Sequence, residues 1–305
     1  MNPEHAVETD GLTKRYGRVS ALDGLTMTVD RGEVFGFLGP NGAGKTTAVK
    51  LLLGLTRPTG GNGRVLGEPL GDRLTRQRIG YLPELFRYQP WLRAREVLAL
   101  HCRLGGLARD RWPAEIEAVL ELVGLTDRSE DLVGTFSKGM QQRLGLGVAL
   151  LGQPDLVVLD EPTSALDPVG RLDVRSIIRT ARDRGTTVFL NSHLLTEVER
   201  VCDRVAIVDR GRVLEAGRLD ELLGEPTVRI RVTDLPAQAA DGLSRFGPIR
   251  ADGEWLTIQP LPSGLVPDVV AAIVGGGGRI HEVDVGRSSL EDRFLRLLTH
   301  GSLQA

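Results

Sequence analysis

Two rhythms of apolar residues run along this chain, and the places where one gives way to the other outline its elements. Residues 6–29 carry the segments VETDGLTKRYG and ALDGLTMTV, which read as two β segments joined by a turn around Tyr16-Gly17, an antiparallel hairpin. Residues 33–38 (EVFGFL), 156–159 (LVVL) and 186–191 (TTVFLN) are short apolar runs of strand length. Residues 64–66 and 79–82 (IGYL) add two more, the second stopped by Pro83. Residues 47–53 fit a helix, which Pro58, Gly60, Gly61 and Gly63 bring to an end. From about residue 86 to residue 150 the spacing changes to three and four, in REVLALHCRLGGL and AEIEAVLELVGL, so a helical insert is expected between the strands of the core. Residues 194–202 predict a helix, and residues 205–209 with 212–216 a hairpin across Arg210-Gly211.

At Gly224-Glu225-Pro226 the composition breaks. Short strands and helices then alternate over residues 227–232, 236–246, 254–259, 267–274, 279–285 and 290–298, with the four glycines at 275–278 read as a flexible link. The expected organisation is an α/β core with an antiparallel β subdomain and a helical insert over residues 1–224, followed by a small α+β domain over residues 225–305. Nothing in the second part has catalytic spacing.

Composition narrows the class. The chain has 305 residues and is 41 % hydrophobic, enough for one large packed core or two. A net charge of −2 gives no global cationic field, so nucleic acid is not the expected partner. Cys102 and Cys202 stand far apart without metal-ligand spacing, which fits a reducing compartment. The opening MNPEHAVETDG lacks an apolar core, so no secretory signal is expected, and no apolar run approaches the roughly 18 residues of a membrane span.

The chemistry begins at Gly39-Pro40-Asn41-Gly42-Ala43-Gly44-Lys45-Thr46, which fits G-x-x-x-x-G-K-[ST] at every fixed position and sits between an expected strand and an expected helix. Glycines let such a loop curl its N–H groups toward an anion at the start of the helix. This is a phosphate-binding loop, and the core is a nucleotide-binding one. Lys45 would reach the β- and γ-phosphates, Thr46 would ligate Mg²⁺, and Thr47 completes the loop's binding set.

A second chemical unit ends the run at 156–159, where Asp160 and Glu161 follow an apolar strand. Paired with the phosphate loop, this Walker B pattern delivers Asp160 to Mg²⁺ and leaves Glu161 facing the water beyond the γ-phosphate. His193, at the end of the 186–191 strand, can donate to a γ-phosphate oxygen or hold that water. Tyr16, before a glycine, can stack on a base, although by itself it reads more readily as an ordinary strand-end tyrosine.

With these residues in order, Phe136-Ser137-Lys138-Gly139-Met140 followed by Gln141-Gln142-Arg143 resembles the signature LSGGQ of ATP-binding cassette (ABC) ATPases, over roughly residues 5–222. The resemblance implies an aromatic A-loop at Tyr16, a signature that contacts nucleotide through Ser137 and Gly139, a D-loop at Ser164-Ala165-Leu166-Asp167 and a switch histidine at His193. Three positions depart from the family pattern. Glu84 replaces the Q-loop glutamine, keeping a possible Mg²⁺ ligand and catalytic contact but losing a donor, while Lys138 and Met140 replace a glycine and a glutamine of the signature. These substitutions, with the C-terminal domain, are similar to cassettes that serve two-component exporters.

The resemblance implies an ATPase using ATP and Mg²⁺, a homodimer of cassettes with ATP at the interface, and a separate polytopic permease that holds the chain on the cytoplasmic face of the membrane. The permease is expected near Glu84 and residues 87–95, with Tyr88 and Trp91 as anchors. A soluble cassette acting on ribosomes or DNA is the alternative. Such proteins usually carry two cassettes or long coiled coils, and neither is read here.

Overall fold

The computed structural model describes residues 5–164, 166–224, 227–286 and 289–301. It divides into two compact units, Met1–Arg218 and Leu219–Ala305.

The first unit opens with β1 (His5–Tyr16) and β2 (Val19–Asp30), antiparallel across a turn in which Gly17 takes φ +58°. β3 (Val34–Leu38), α1 (Lys45–Leu52), β4 (Gly60–Val65), β5 (Glu68–Pro69) and β6 (Ile79–Leu82) follow. Then come α2 (Ala94–Leu104), α3 (Trp112–Leu122) and α4 (Lys138–Leu150), which form the expected helical insert. The return to the core is made by β7 (Leu156–Asp160), α5 (Pro168–Asp183), β8 (Thr187–Asn191), α6 (Leu195–Val201), β9 (Arg204–Asp209) and β10 (Arg212–Arg218).

One sheet has the order β2-β1-β4-β5 and is antiparallel; the other has the order β10-β9-β3-β8-β7-β6, parallel except for β10. β3, β7 and β8 are buried at every position, which explains their predominantly apolar sequences, with polar residues only at the strand ends of β7 and β8. Inside, Phe189 stacks on Phe35 and packs tilted against Phe37, and Ala48, Val49, Leu51 and Leu52 of α1 close the same core against Leu12 and Leu25 of the antiparallel sheet. Burying such side chains stabilises by about 1.5–3 kcal/mol each.

Two elements differ from the sequence expectation. Strand β4 begins at Gly60, within the glycines expected to form only a turn, and pairs with β1 at Gly63↔Thr9 and Gly60↔Thr13. The reason is close approach: a Cβ on Gly61 would run into the carbonyl of Gly11, so the strand passes only with glycine there. Helix α5 was absent from the expected elements, although its buried residues Val174, Ile177, Ile178 and Ala181 repeat at helical spacing.

The second unit contains α7 (Leu219–Leu223), β11 (Thr227–Thr233), α8 (Ala237–Gly242), β12 (Ile249–Asp252), β13 (Trp255–Ile258), α9 (Val266–Gly275), β14 (Arg279–Gly286) and α10 (Leu290–Gly301). Its antiparallel sheet has the order β12-β13-β11-β14. Val228, Ile230, Leu256 and Ile258 pack with Val269 and Ile273 of α9 into a separate core. The short strand β12 was not expected, its IRAD sequence carrying a single strongly apolar residue. Among the described residues no helix is long and apolar enough to cross a membrane.

Candidate functional site

Strands β3, β8, β7 and β6 are neighbours and parallel, so their carboxyl ends open on one edge of the sheet. Ligands of open parallel sheets bind there. In order, these ends carry the phosphate loop, Ser192-His193, Asp160-Glu161 and Pro83-Glu84. Four segments far apart in sequence thus meet by topology alone.

The loop is shaped by two glycines in the left-handed region, Gly42 at φ +82° and Gly44 at φ +99°. A Cβ on Gly44 would meet the carbonyl oxygen of Ala21, and one on Gly39 that of Val208, so both positions exclude side chains. Pro40 accepts from the Ala43 N–H at 3.1 Å, closing the turn, while Asn41 and Gly42 are exposed at its tip. Lys45 is buried, and its Nζ donates to the carbonyl of Gly39 at 2.7 Å. Burial pushes the Lys45 ammonium below the usual lysine range, opposed by the nearby carboxylates of Glu161, Asp160 and Glu84. Those four charged groups therefore share one electrostatic neighbourhood. Thr46 is exposed beside Lys45, and Thr47 half-buried in the first turn of α1.

Asp160 is buried at the end of β7, where Asn191 Nδ2, directly opposite on β8, donates to its Oδ1 at 2.5 Å. Burial pushes the Asp160 carboxyl up, and the Asn191 bond pulls the other way. Glu161 has φ +52°, an unfavourable conformation for a non-glycine residue that turns its side chain out of the strand's alternation. Its N–H donates to the Asn191 carbonyl at 2.8 Å, which holds this turn. Its Oε2 lies 2.8 Å from Nδ1 of His193 and 3.5 Å from the buried hydroxyl of Ser192. Asn191 and Ser192 were missed in the sequence; the signal was a polar pair directly after the apolar Val188-Phe189-Leu190.

Glu84 is exposed just beyond β6, and it acts with Asp160, after burial, to push the Tyr81 hydroxyl up. Tyr16 is 49 % exposed, with Lys14 Nζ 4.9 Å from its ring centroid. Its ring is open to a flat partner. Ser137 and Gly139 lie elsewhere, in a hollow of about 400 Å³ that they line with Lys138, Met140 and Asp167, and no residue of the phosphate loop lines it. Ser137 caps α4 by accepting from the Met140 N–H at 3.2 Å, and Asp167 caps α5 by accepting from the Gly170 N–H at 2.8 Å. Ala165, the remaining D-loop position in question, lies outside the described residues.

A cleft of about 550 Å³ is lined by Tyr81, Phe86, Tyr88, His101, Leu104 and Leu107, among others. Tyr88 belongs to its wall: the ring packs on Phe86 and edge-on to His101, at 5.4 and 5.6 Å, and burial pushes its hydroxyl far up. It is not the projecting anchor expected from sequence, whereas Trp91 is 69 % exposed.

The donor set also bears on Mg²⁺. Among the described residues no three His, Cys, Asp or Glu gather to cage a metal. Mg²⁺ does not require that, since it keeps waters and substrate phosphates and uses one or two protein oxygens. Asp160, which lies in the field of Lys45, together with Thr46, the next residue of the phosphate loop, supplies such an oxygen set and fits it.

Residues 22–164 match the family model described as ABC transporter. An uncharacterised ABC transporter ATP-binding protein of Nostoc sp. is 41 % identical over 96 % of this chain and 90 % of its own. The Nod factor export ATP-binding protein I of Burkholderia thailandensis is 38 % identical over 95 % of this chain and 96 % of its own. Among solved structures, the ATP-binding subunit of an ABC transporter superposes with a TM-score of 0.65 at 32 % identity, over 71 % of this chain and 91 % of that one. The likeness to the first two relatives runs through both units, and the phosphate loop, signature and Walker B strand lie in family order. The chain belongs to the ABC transporter family, as one of its nucleotide-binding ATPases.

Proposed function

We propose that this chain is the ATP-hydrolysing subunit of a membrane exporter whose permease is a separate polytopic protein. The observation that carries the reading is the convergence of Lys45, Asp160, Glu161 and His193 at the ends of adjacent parallel strands. Phosphoryl transfer asks mainly for positioning and charge stabilisation, which this set supplies without a covalent nucleophile. Water attacks the γ-phosphorus, the bond to the β-bridging oxygen breaks, and ADP leaves. Glu161 accepts the water's proton; His193, held by Glu161 through Nδ1, offers Nε2 to the water or the γ-phosphate. Loop N–H groups and Lys45 hold the phosphates, Tyr16 stacks on adenine, and Glu84 lies at the edge of the site. Asp160 and Thr46 would hold Mg²⁺, which neutralises charge on the phosphate oxygens.

Ser137 and Gly139 at the start of α4 would serve the nucleotide of a second copy, with Asp167 nearby, so that two cassettes enclose ATP between them. Export is supported by the name of the full-length Burkholderia relative. The cleft lined by Tyr88, with the exposed Trp91 three residues further along the chain, is the proposed permease contact, which would keep the chain on the cytoplasmic face of the membrane. Residues 225–305 would be an accessory domain.

Affinity purification from native membranes tests this. A polytopic membrane chain should copurify, and ATPase activity should follow the complex. Recovery with ribosomal RNA and no membrane protein would overturn the exporter reading.

A further inference from the structure

The second unit carries a hollow of about 500 Å³ that the cassette chemistry does not use. Its strands and helices run β11-α8-β12-β13-α9-β14, and the core lies on the side of α9. Residues of alternate register therefore face away from the core on an open sheet surface. Along β13 these are Trp255 and Thr257, followed by Gln259, all three lining the hollow.

The register places two arginines beside Thr257, and a third, Arg231, opposite Trp255. Thr257 stands directly opposite Arg250 on one side and Arg229 on the other, so the arginine Cα atoms are roughly 10 Å apart across it. The Arg229 guanidinium lies over the Trp255 ring, 4.8 Å from its centroid, a cation–π pair. Arg250 is exposed, and neither arginine has an ion-pair partner among the described residues. The acids on this face are Asp252 opposite Trp255, Asp284 opposite Arg229, and Glu282, which pairs with Arg231 at 3.8 Å.

The geometry points to a binding site for a planar aromatic phosphate monoester, of the nucleoside monophosphate class. Its ring extends the Arg229–Trp255 pair, its phosphate takes the Arg250 fork with the Thr257 hydroxyl, and Asp252 and Gln259 meet its hydroxyl or amine donors. The volume lies within the range of small-ligand sites, about 300–1,000 Å³. A bare phosphate would leave the cation–π pair unused, and a neutral ring would leave Arg250 unused.

Calorimetric titration of the full-length protein with GMP, guanosine and inorganic phosphate tests the site. GMP should saturate one site at least about tenfold more tightly than either half molecule. Trp255→Ala and Arg250→Ala should each weaken it about tenfold or more, from lost stacking and a lost charge-assisted bond, with cassette ATP binding intact. Lys45→Ala should leave GMP binding unchanged. Absence of saturable GMP binding in a protein that still binds ATP would overturn the site. So would binding that survives both variants and disappears in Lys45→Ala, because that ligand would sit in the cassette.

Discussion

Glu161 Oε2 and His193 Nδ1 lie 2.8 Å apart, joined across the ends of two adjacent parallel strands by residues that are 32 positions apart (193 − 161). Glu161 is buried and His193 is 52 % exposed, so the carboxylate is fixed by the core while the ring faces outward. This division suits a base that stays put and a contact that reports on the ligand. Glu161→Gln keeps the size of the side chain and removes the proton acceptor. ATP should bind and persist, while turnover falls about 10²–10⁴-fold. Trapped-nucleotide and single-turnover assays on the purified complex measure both, and near-normal turnover would show that the base lies elsewhere.

A subtler effect is expected at Asn191, whose amide holds Asp160 while its carbonyl holds the Glu161 turn. Asn191→Ala removes only the first of these contacts. By analogy with other residues that orient metal ligands, the Mg²⁺ concentration needed for half-maximal ATPase activity should rise about 10–100-fold. ATP affinity measured without Mg²⁺ should change far less. Equal losses with and without Mg²⁺ would show that Asn191 acts through the fold and not through Asp160.

Two glycine substitutions separate packing from chemistry. In Gly80→Ala the added methyl would meet the carbonyl oxygen of Ala149, between β6 and α4 and away from the phosphate loop. The expected outcome is a loss of about 1–3 kcal/mol in stability, seen in denaturant unfolding, with ATP affinity preserved in the folded fraction. Gly44→Ala meets a carbonyl and also requires φ +99°, inside the loop itself, so ATP affinity should fall with stability. Equal effects on ATP affinity from both would contradict the loop's role.

The two-unit architecture gives a further test. Each unit has its own apolar cluster, and the first ends at Arg218. A chain ending at Arg218 should fold and bind ATP with affinity within about threefold of the full protein, since ATP contacts are proposed only in the first unit. Folded protein without ATP binding would assign the second unit a structural part in the site.

Much of this was legible in the sequence because the decisive residues follow apolar runs. A phosphate loop after EVFGFL and two acids after LVVL announce strand ends, and strand ends are where parallel sheets gather ligands. What could not be read was adjacency. That β7 lies beside β8, and hence that Asn191 faces Asp160 and His193 faces Glu161, depends on sheet order, which local periodicity does not encode. The positive φ of Glu161 was hidden for the same reason, because an acidic residue gives no sign of a left-handed turn. Tyr88 misled because an aromatic in a polar, proline-flanked stretch looks exposed, while its partner His101 lies on a helix one element later.

The last prediction concerns a site made from two chains. Ser137 caps the N-terminus of α4, a 13-residue helix whose positive end attracts anions, yet none of the residues lining its hollow comes from the phosphate loop. If the signature serves a second copy's nucleotide, a protomer with Lys45→Ala and one with Ser137→Arg should rebuild one working site together. The first supplies an intact signature, the second an intact loop. Either homodimer has only defective sites and should be inactive. The mixed dimer, isolated with two affinity tags, should recover up to about half of wild-type ATPase activity if the sites act independently. Losing the Ser137 cap costs about 1 kcal/mol, so unfolding of each variant must be followed in parallel. Photoreactive ATP gives the result that activity alone cannot, because strict coupling between sites silences a half-repaired dimer. It should label the chain whose own loop is defective, the one with the intact signature. Labelling confined to the chain that holds the intact loop would exclude a shared site.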